Sequence, residues 1–110
     1  MATASPLPEV VPEQETETKT RRQPPYAVIL HNDDLNTMEF VVSVLRKVFG
    51  YTVEKCVKLM LDAHQNGKTA VWIGAMEVAE LKADQIRSCG SDPFVKQGGH
   101  PLGVSIEPAA

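Results

Sequence analysis

Five apolar residues, YAVIL at 26–30, run straight into a polar knot, HNDDLN, and out of it comes MEFVVSVLRKVF, a segment of helical period. No other stretch restricts the fold so tightly. The apolar run is short and bounded by Pro25 and by Asn32-Asp33-Asp34, which predicts a strand over Tyr26–Leu30. Asn36 or Thr37 suits the N-cap of the following helix, and Glu39 lies in its first turn, where it complements the helix dipole. The helix is expected over Met38–Phe49, with Gly50 as its C′ residue. Glu39, Ser43, Arg46 and Lys47 form one narrow polar stripe, so most of this helix is expected to be buried.

The rest of the chain continues in short elements. Thr52 opens a second helix, VEKCVKLMLDAHQN, which Gly67 closes. Val53, Val57, Met60, Leu61 and His64 recur on one face, predicted to turn inward, with Glu54, Lys58, Asp62 and Gln65 in solvent. TAVWIGA (69–75) reads as a strand, Glu77–Cys89 as a third helix and LGVSI (102–106) as a last edge strand. The order β-α-α-β-α-β segregates helices from a small sheet and predicts an α+β domain over 25–110. Residues 1–24 are rich in Pro, Thr and Glu and lack periodicity, so a flexible extension is expected there.

Composition narrows the function. The chain has 110 residues, a net charge of −3 and a pI of about 5.5, which argues against a nucleic-acid surface. No apolar run approaches the roughly 18–20 residues that span a bilayer, and no secretory signal is visible. Cys56 and Cys89 belong to no CxxC pair, so zinc is not expected. They read as reduced thiols of a cytoplasmic protein, and no cofactor is implied.

The polar knot admits several chemistries. Asn32, Asp34 and Asn36 alternate as calcium ligands do, but Thr37 stands where an EF-hand needs Gly and Ser43 where it needs Glu. Asp33 and Asp34 are adjacent, so in an extended loop they point to different sides, which is poor geometry for a shared-proton dyad. A metal-dependent hydrolase would have to gather His31, Asp33, Asp34 and His64, and their spacing does not suggest it. Taken alone, the knot reads as an Asx-rich turn with an N-cap. His64 reads as a dipole-favoured C-terminal His, and Met38 and Met60 as core fillers.

Taken together, VILHNDDLNTMEFVVSVL, LMLDAHQNGK, MEVAELK and HPLGVSIE resemble the ClpS adaptor family over residues 25 to 107, in order and at familiar spacing. The resemblance implies an adaptor, not an enzyme. Such adaptors bind proteins whose first residue is large and apolar (Leu, Phe, Tyr or Trp) and deliver them to the Clp AAA+ unfoldase. It implies three helices beside a three-stranded antiparallel sheet. By position, Asn32, Asp33 and His64 match residues that bind the substrate's α-amino group, and Asp34 and Asn36 fall on the rim. Leu30, Met38, Val41, Met60, Ala63 and Leu102 match the apolar pocket, with Met38 at a gate that disfavours β-branched first residues. Glu77 and Lys82 match positions that dock on the unfoldase, and the N-terminal extension matches the part that engages it. Many members carry Tyr-Thr-Pro where this chain has Leu35-Asn36-Thr37, and an Asn at 36 can still cap the helix and reach a substrate backbone. The competing adaptor reading is a non-selective inhibitory or chaperone-like subunit of the unfoldase.

Overall fold

The computed structural model describes residues 23–95 and 99–109. Most of the expected N-terminal extension, residues 1–22, lies outside them. The chain runs β1 (Tyr26–His31), α1 (Met38–Phe49), α2 (Val53–Asn66), β2 (Lys68–Gly74), α3 (Met76–Ser88) and β3 (Val104–Pro108). The strands form one antiparallel sheet of order β2-β1-β3, so the expected α+β class and strand count are observed.

Flanked on both sides, β1 is the element the molecule is built on. Ala27, Val28, Ile29 and Leu30 are all at most 6% exposed, as expected of a central strand. Its register with β2 pairs Val28 with Trp72 and Ile29 with Ala70, which leaves Val71 as the extra residue of a bulge. Val71 is buried with the core. Val28, Leu30, Val44, Leu45, Cys56, Met60 and Ile86 join strand and all three helices into one cluster.

The helix ends follow their local chemistry. Thr37 caps α1, accepting from the Phe40 N–H at 3.2 Å, and Thr52 caps α2, accepting from Lys55 N–H at 3.2 Å. Gly50 and Gly67 close the two helices at φ 71° and 86°, in the left-handed region that glycine enters without steric cost. The Lys82 ammonium reaches the Val48 carbonyl at the end of α1 (3.1 Å) and ties α3 to it.

Three expectations need correction. The buried face of α2 is Cys56, Met60 and Ala63, turned by about one residue from the face read in the sequence. Val53 (45%) and Leu61 (41%) are exposed, because the small Ala63 and the thiol of Cys56 allow closer packing than the bulkier stripe. Helix α1 is less enclosed than its composition suggested, with Phe40, Val41, Val44 and Leu45 buried and Met38 61% exposed. The last strand begins at Val104 rather than 102, since the Gly103 carbonyl already accepts the His31 N–H (2.9 Å) and Leu102 turns inward.

Candidate functional site

Hydrogen bonds pin the loop between β1 and α1 along its length. Asn32 N–H donates to the carbonyl of Gly67 at 2.8 Å, which joins the loop to the C-terminal end of α2. His64, three residues before Gly67, is brought to the same side by this bond. Asp33 then folds the loop on itself: its Oδ1 accepts from Leu35 N–H (2.8 Å) and Asn36 N–H (3.3 Å), an Asx turn. The Asn36 amide donates to Asp33 Oδ2 and, at 3.4 Å, to the His100 carbonyl. The His100 ring also lies 3.6 Å from the Asp33 carboxylate.

These bonds separate the two acids. Asp33 is inside, its side chain 10% exposed and most of its acceptor capacity engaged. Asp34 is exposed and meets the Asn32 amide at 3.5 Å. Of the two cap candidates, Thr37 caps α1, while Asn36, buried at 8%, is drawn inward by Asp33.

Between this loop, the first turn of α1 and the last turns of α2 lies a pocket of about 220 Å³. Its lining brings together Leu30, Asn32, Asp33, Asp34, Asn36, Met38, Val41, Met60, Ala63, His64 and Leu102. All the amine-binding, rim and apolar positions named from the sequence therefore converge on one cavity. Two further lining residues, His31 and Leu61, were not singled out as pocket residues. Leu61 sits beside Met60 on a helix whose orientation the sequence misplaced. His31 ends β1, where its Nε2 lies 2.8 Å from Ser105 Oγ.

Glu77 and Lys82 lie on α3 and are not part of this lining. Glu77 is exposed, while Lys82 is half-buried on the end of α1. Among the described residues no group of three or more His, Cys, Asp or Glu is placed to hold a metal. No described helix is long and apolar enough to cross a membrane.

The arrangement pairs an apolar floor with a lip of acceptors and a net negative charge. Leu30, Val41, Met60, Ala63 and Leu102, all at most 9% exposed, form the floor. Among the described lining residues there is no Ser, Thr, Cys or Lys to act as a base-activated nucleophile. It suits a ligand that is cationic at one end and apolar at the other.

The comparisons with known proteins agree with this geometry. A family model described as ATP-dependent Clp protease adaptor protein ClpS matches residues 21–105. A ClpS adapter protein of Pectobacterium carotovorum is 40% identical over 93 residues, covering 83% of this chain and 83% of the relative. One from Sodalis glossinidius is 41% identical over 97 residues, covering 86% and 87%. Among solved structures, Agrobacterium tumefaciens ClpS2 bound to L-phenylalaninamide matches with a TM-score of 0.68 and 34% identity, over 79% of this chain and 99% of that one. The chain belongs to the ClpS family of ATP-dependent Clp protease adaptors.

Proposed function

We propose that this adaptor recognises the first residue of protein substrates, selects large apolar side chains (Leu, Phe, Tyr, Trp), and delivers them to the Clp AAA+ unfoldase. The observation that carries the reading is a pocket in which an acidic, amide-rich lip meets an apolar floor. L-phenylalaninamide, the ligand of the Agrobacterium relative, has the same two ends: a free α-amine and a benzyl side chain.

The physical chemistry supports the fit. An α-amino group has a pKa of roughly 8 and is mostly cationic at pH 7. The Asn32 amide oxygen, the Asp33–Asp34 pair and a neutral ring nitrogen of His64 supply acceptors for its three hydrogens. Asp33 also holds the loop in shape, and Asp34, with fewer internal bonds, adds charge at the rim. Each hydrogen bond to a charged group contributes about 1.5–3 kcal/mol, and burying a Leu or Phe side chain roughly 1.5–3 more. After the costs of association, about −8 kcal/mol, or micromolar binding, is expected. That strength suits a carrier that has to release its cargo. Met38 stands 61% exposed beside the opening, where a substrate branched at Cβ would meet it.

The test is a peptide panel varied only at the first residue, each member free and N-acetylated. Free Phe and Leu peptides are expected to bind and the acetylated ones to fail. Equal binding of both forms would eliminate amine recognition and favour the non-selective subunit. Glu77 and Lys82 on α3 are proposed to dock on the unfoldase, with the N-terminal extension engaging it.

A further inference from the structure

Asp92 takes no part in the recognition chemistry above, yet at 1% exposure it is the most deeply buried charged residue among those described. Its Oδ2 accepts two hydrogen bonds from one residue, the backbone N–H and the hydroxyl of Thr37, both at 2.7 Å. Its Oδ1 accepts the N–H of Phe94 at 2.8 Å. Burial acts to raise the pKa of this carboxyl, but the hydrogen bonds from Thr37 and Phe94 outweigh it and hold the group below its ordinary value. The charge also faces the first turn of α1, where the helix dipole favours an anion.

Thr37 is the hinge of the pocket. Its hydroxyl hydrogen goes to Asp92, which turns its oxygen lone pair toward Phe40 N–H and so fixes the helix cap. On one side stands Asn36, whose amide holds the Asp33 carboxylate and the His100 carbonyl. On the other stands Met38, at the pocket mouth. Among the described residues of the α3–β3 segment, His100 also reaches this junction, through its carbonyl to Asn36 and its ring, at 3.6 Å, to Asp33. A proline at position 37 would offer Asp92 neither hydrogen.

We propose that Asp92 is a positioning residue of the pocket, clamping Thr37 so that Met38 and the Asn36–Asp33 pair keep one geometry, and that this clamp sets the discrimination against β-branched first residues. The proposal rests on the N-terminal-residue reading. It differs from a purely structural role in one respect: loss of the clamp changes selectivity, not only stability. Met38 projects from the first helical turn, so release of the cap loosens the group that clashes with Cβ branches while leaving the amine acceptors of His64 and Asn32, anchored through Gly67, in place.

The experiment uses the full chain and fluorescent peptides that begin with Leu or Ile, free and N-acetylated. Asp92→Asn keeps size and removes the charge. It is expected to lower affinity for the Leu peptide about tenfold, the size of one lost charge-assisted bond. It is also expected to narrow the Leu-over-Ile ratio while preserving the preference for free amines. Thr37→Pro reaches the same clamp from the other side, and φ of −73° at this position suits proline. It is expected to narrow the ratio to the same extent, with no further loss in the double variant, the signature of one shared interaction. Thr37→Ser keeps both hydrogens and is expected to keep the ratio. An Asp92→Asn protein with the parental Leu-over-Ile ratio would overturn the clamp, as would additive effects in the double variant. Should Asp92→Asn fail to fold, Thr37→Pro against Thr37→Ser decides: equal ratios in those two overturn it. An unsubstituted protein that does not distinguish free from acetylated peptides overturns the underlying reading, an outcome seen before any variant is made.

Discussion

At the scale of single residues, the two neighbouring acids of the polar knot have different surroundings and different expected consequences. Asp33 supports a turn and a charge together, accepting from Leu35, Asn36 and the Asn36 amide. Removing it frees the loop and takes a carboxylate from the proposed amine site, so Asp33→Ala is expected to weaken Leu-peptide binding by more than about tenfold. A loss below that, read by fluorescence anisotropy, would remove it from the amine site. Met38→Ala is expected to admit Ile and Val peptides, because the exposed thioether no longer meets the Cβ branch; unchanged selectivity would show that the gate lies elsewhere. The sequence showed that a cap stood at 36 or 37, but not which. The choice depends on a bond across the chain: Asp92 orients Thr37, and Asp33 takes the Asn36 amide. Asp92 itself was not legible, since an Asp in an irregular loop reads as solvated until the fold brings Thr37 to it.

At the scale of elements, helix existence and ends were readable because they depend on neighbours in the chain. Thr52 and Gly67 bracket α2 as expected. Which face of α2 turns inward was not readable, because that depends on how closely two helices approach. Cys56 and Ala63 are small enough to sit against α1 and the sheet, and they displace the larger Val53 and Leu61 outward. Leu61 thereby reaches the pocket, which explains why spacing alone passed over it. Gly67 couples this helix end to the loop between β1 and α1. Gly67→Ala places a Cβ on a residue at φ 86°, at a cost of roughly 1–2 kcal/mol. The same change disturbs the carbonyl that holds Asn32 N–H. It is expected to lower thermal stability and peptide affinity together; a variant that loses stability with unchanged affinity would separate the anchor from the site. The two thiols also differ by element. Cys56, inside α2 and fully buried, has its pKa raised by desolvation, against the opposing pull of Arg46 and Lys55. An alkylating reagent is expected to modify the half-buried Cys89 first and Cys56 only on unfolding, as followed by mass spectrometry.

At the scale of the whole molecule, one buried charge joins the segment after α3 to the start of α1, and acid should reveal it. The folded-state pKa of Asp92 is depressed below the ordinary 3.8. Its contribution to stability is therefore complete above that value and is lost as pH falls through the lower, folded-state value. A protonated carboxyl and a carboxamide have nearly the same shape and the same single strong acceptor. Asp92→Asn should thus be less stable than the parent across neutral pH, by an amount that does not vary there. The difference should close only below pH 3.8, where the parent comes to resemble the variant. Urea midpoints of both proteins, measured as pH is lowered, provide the check. A difference that persists undiminished in acid would assign the effect to packing rather than to charge. Cys56 and Tyr51, whose pKa values are raised mainly by burial, stay uncharged through this range and do not contribute to the closing. The remaining carboxylates are common to both proteins, so their titration moves both curves together and leaves the difference to Asp92.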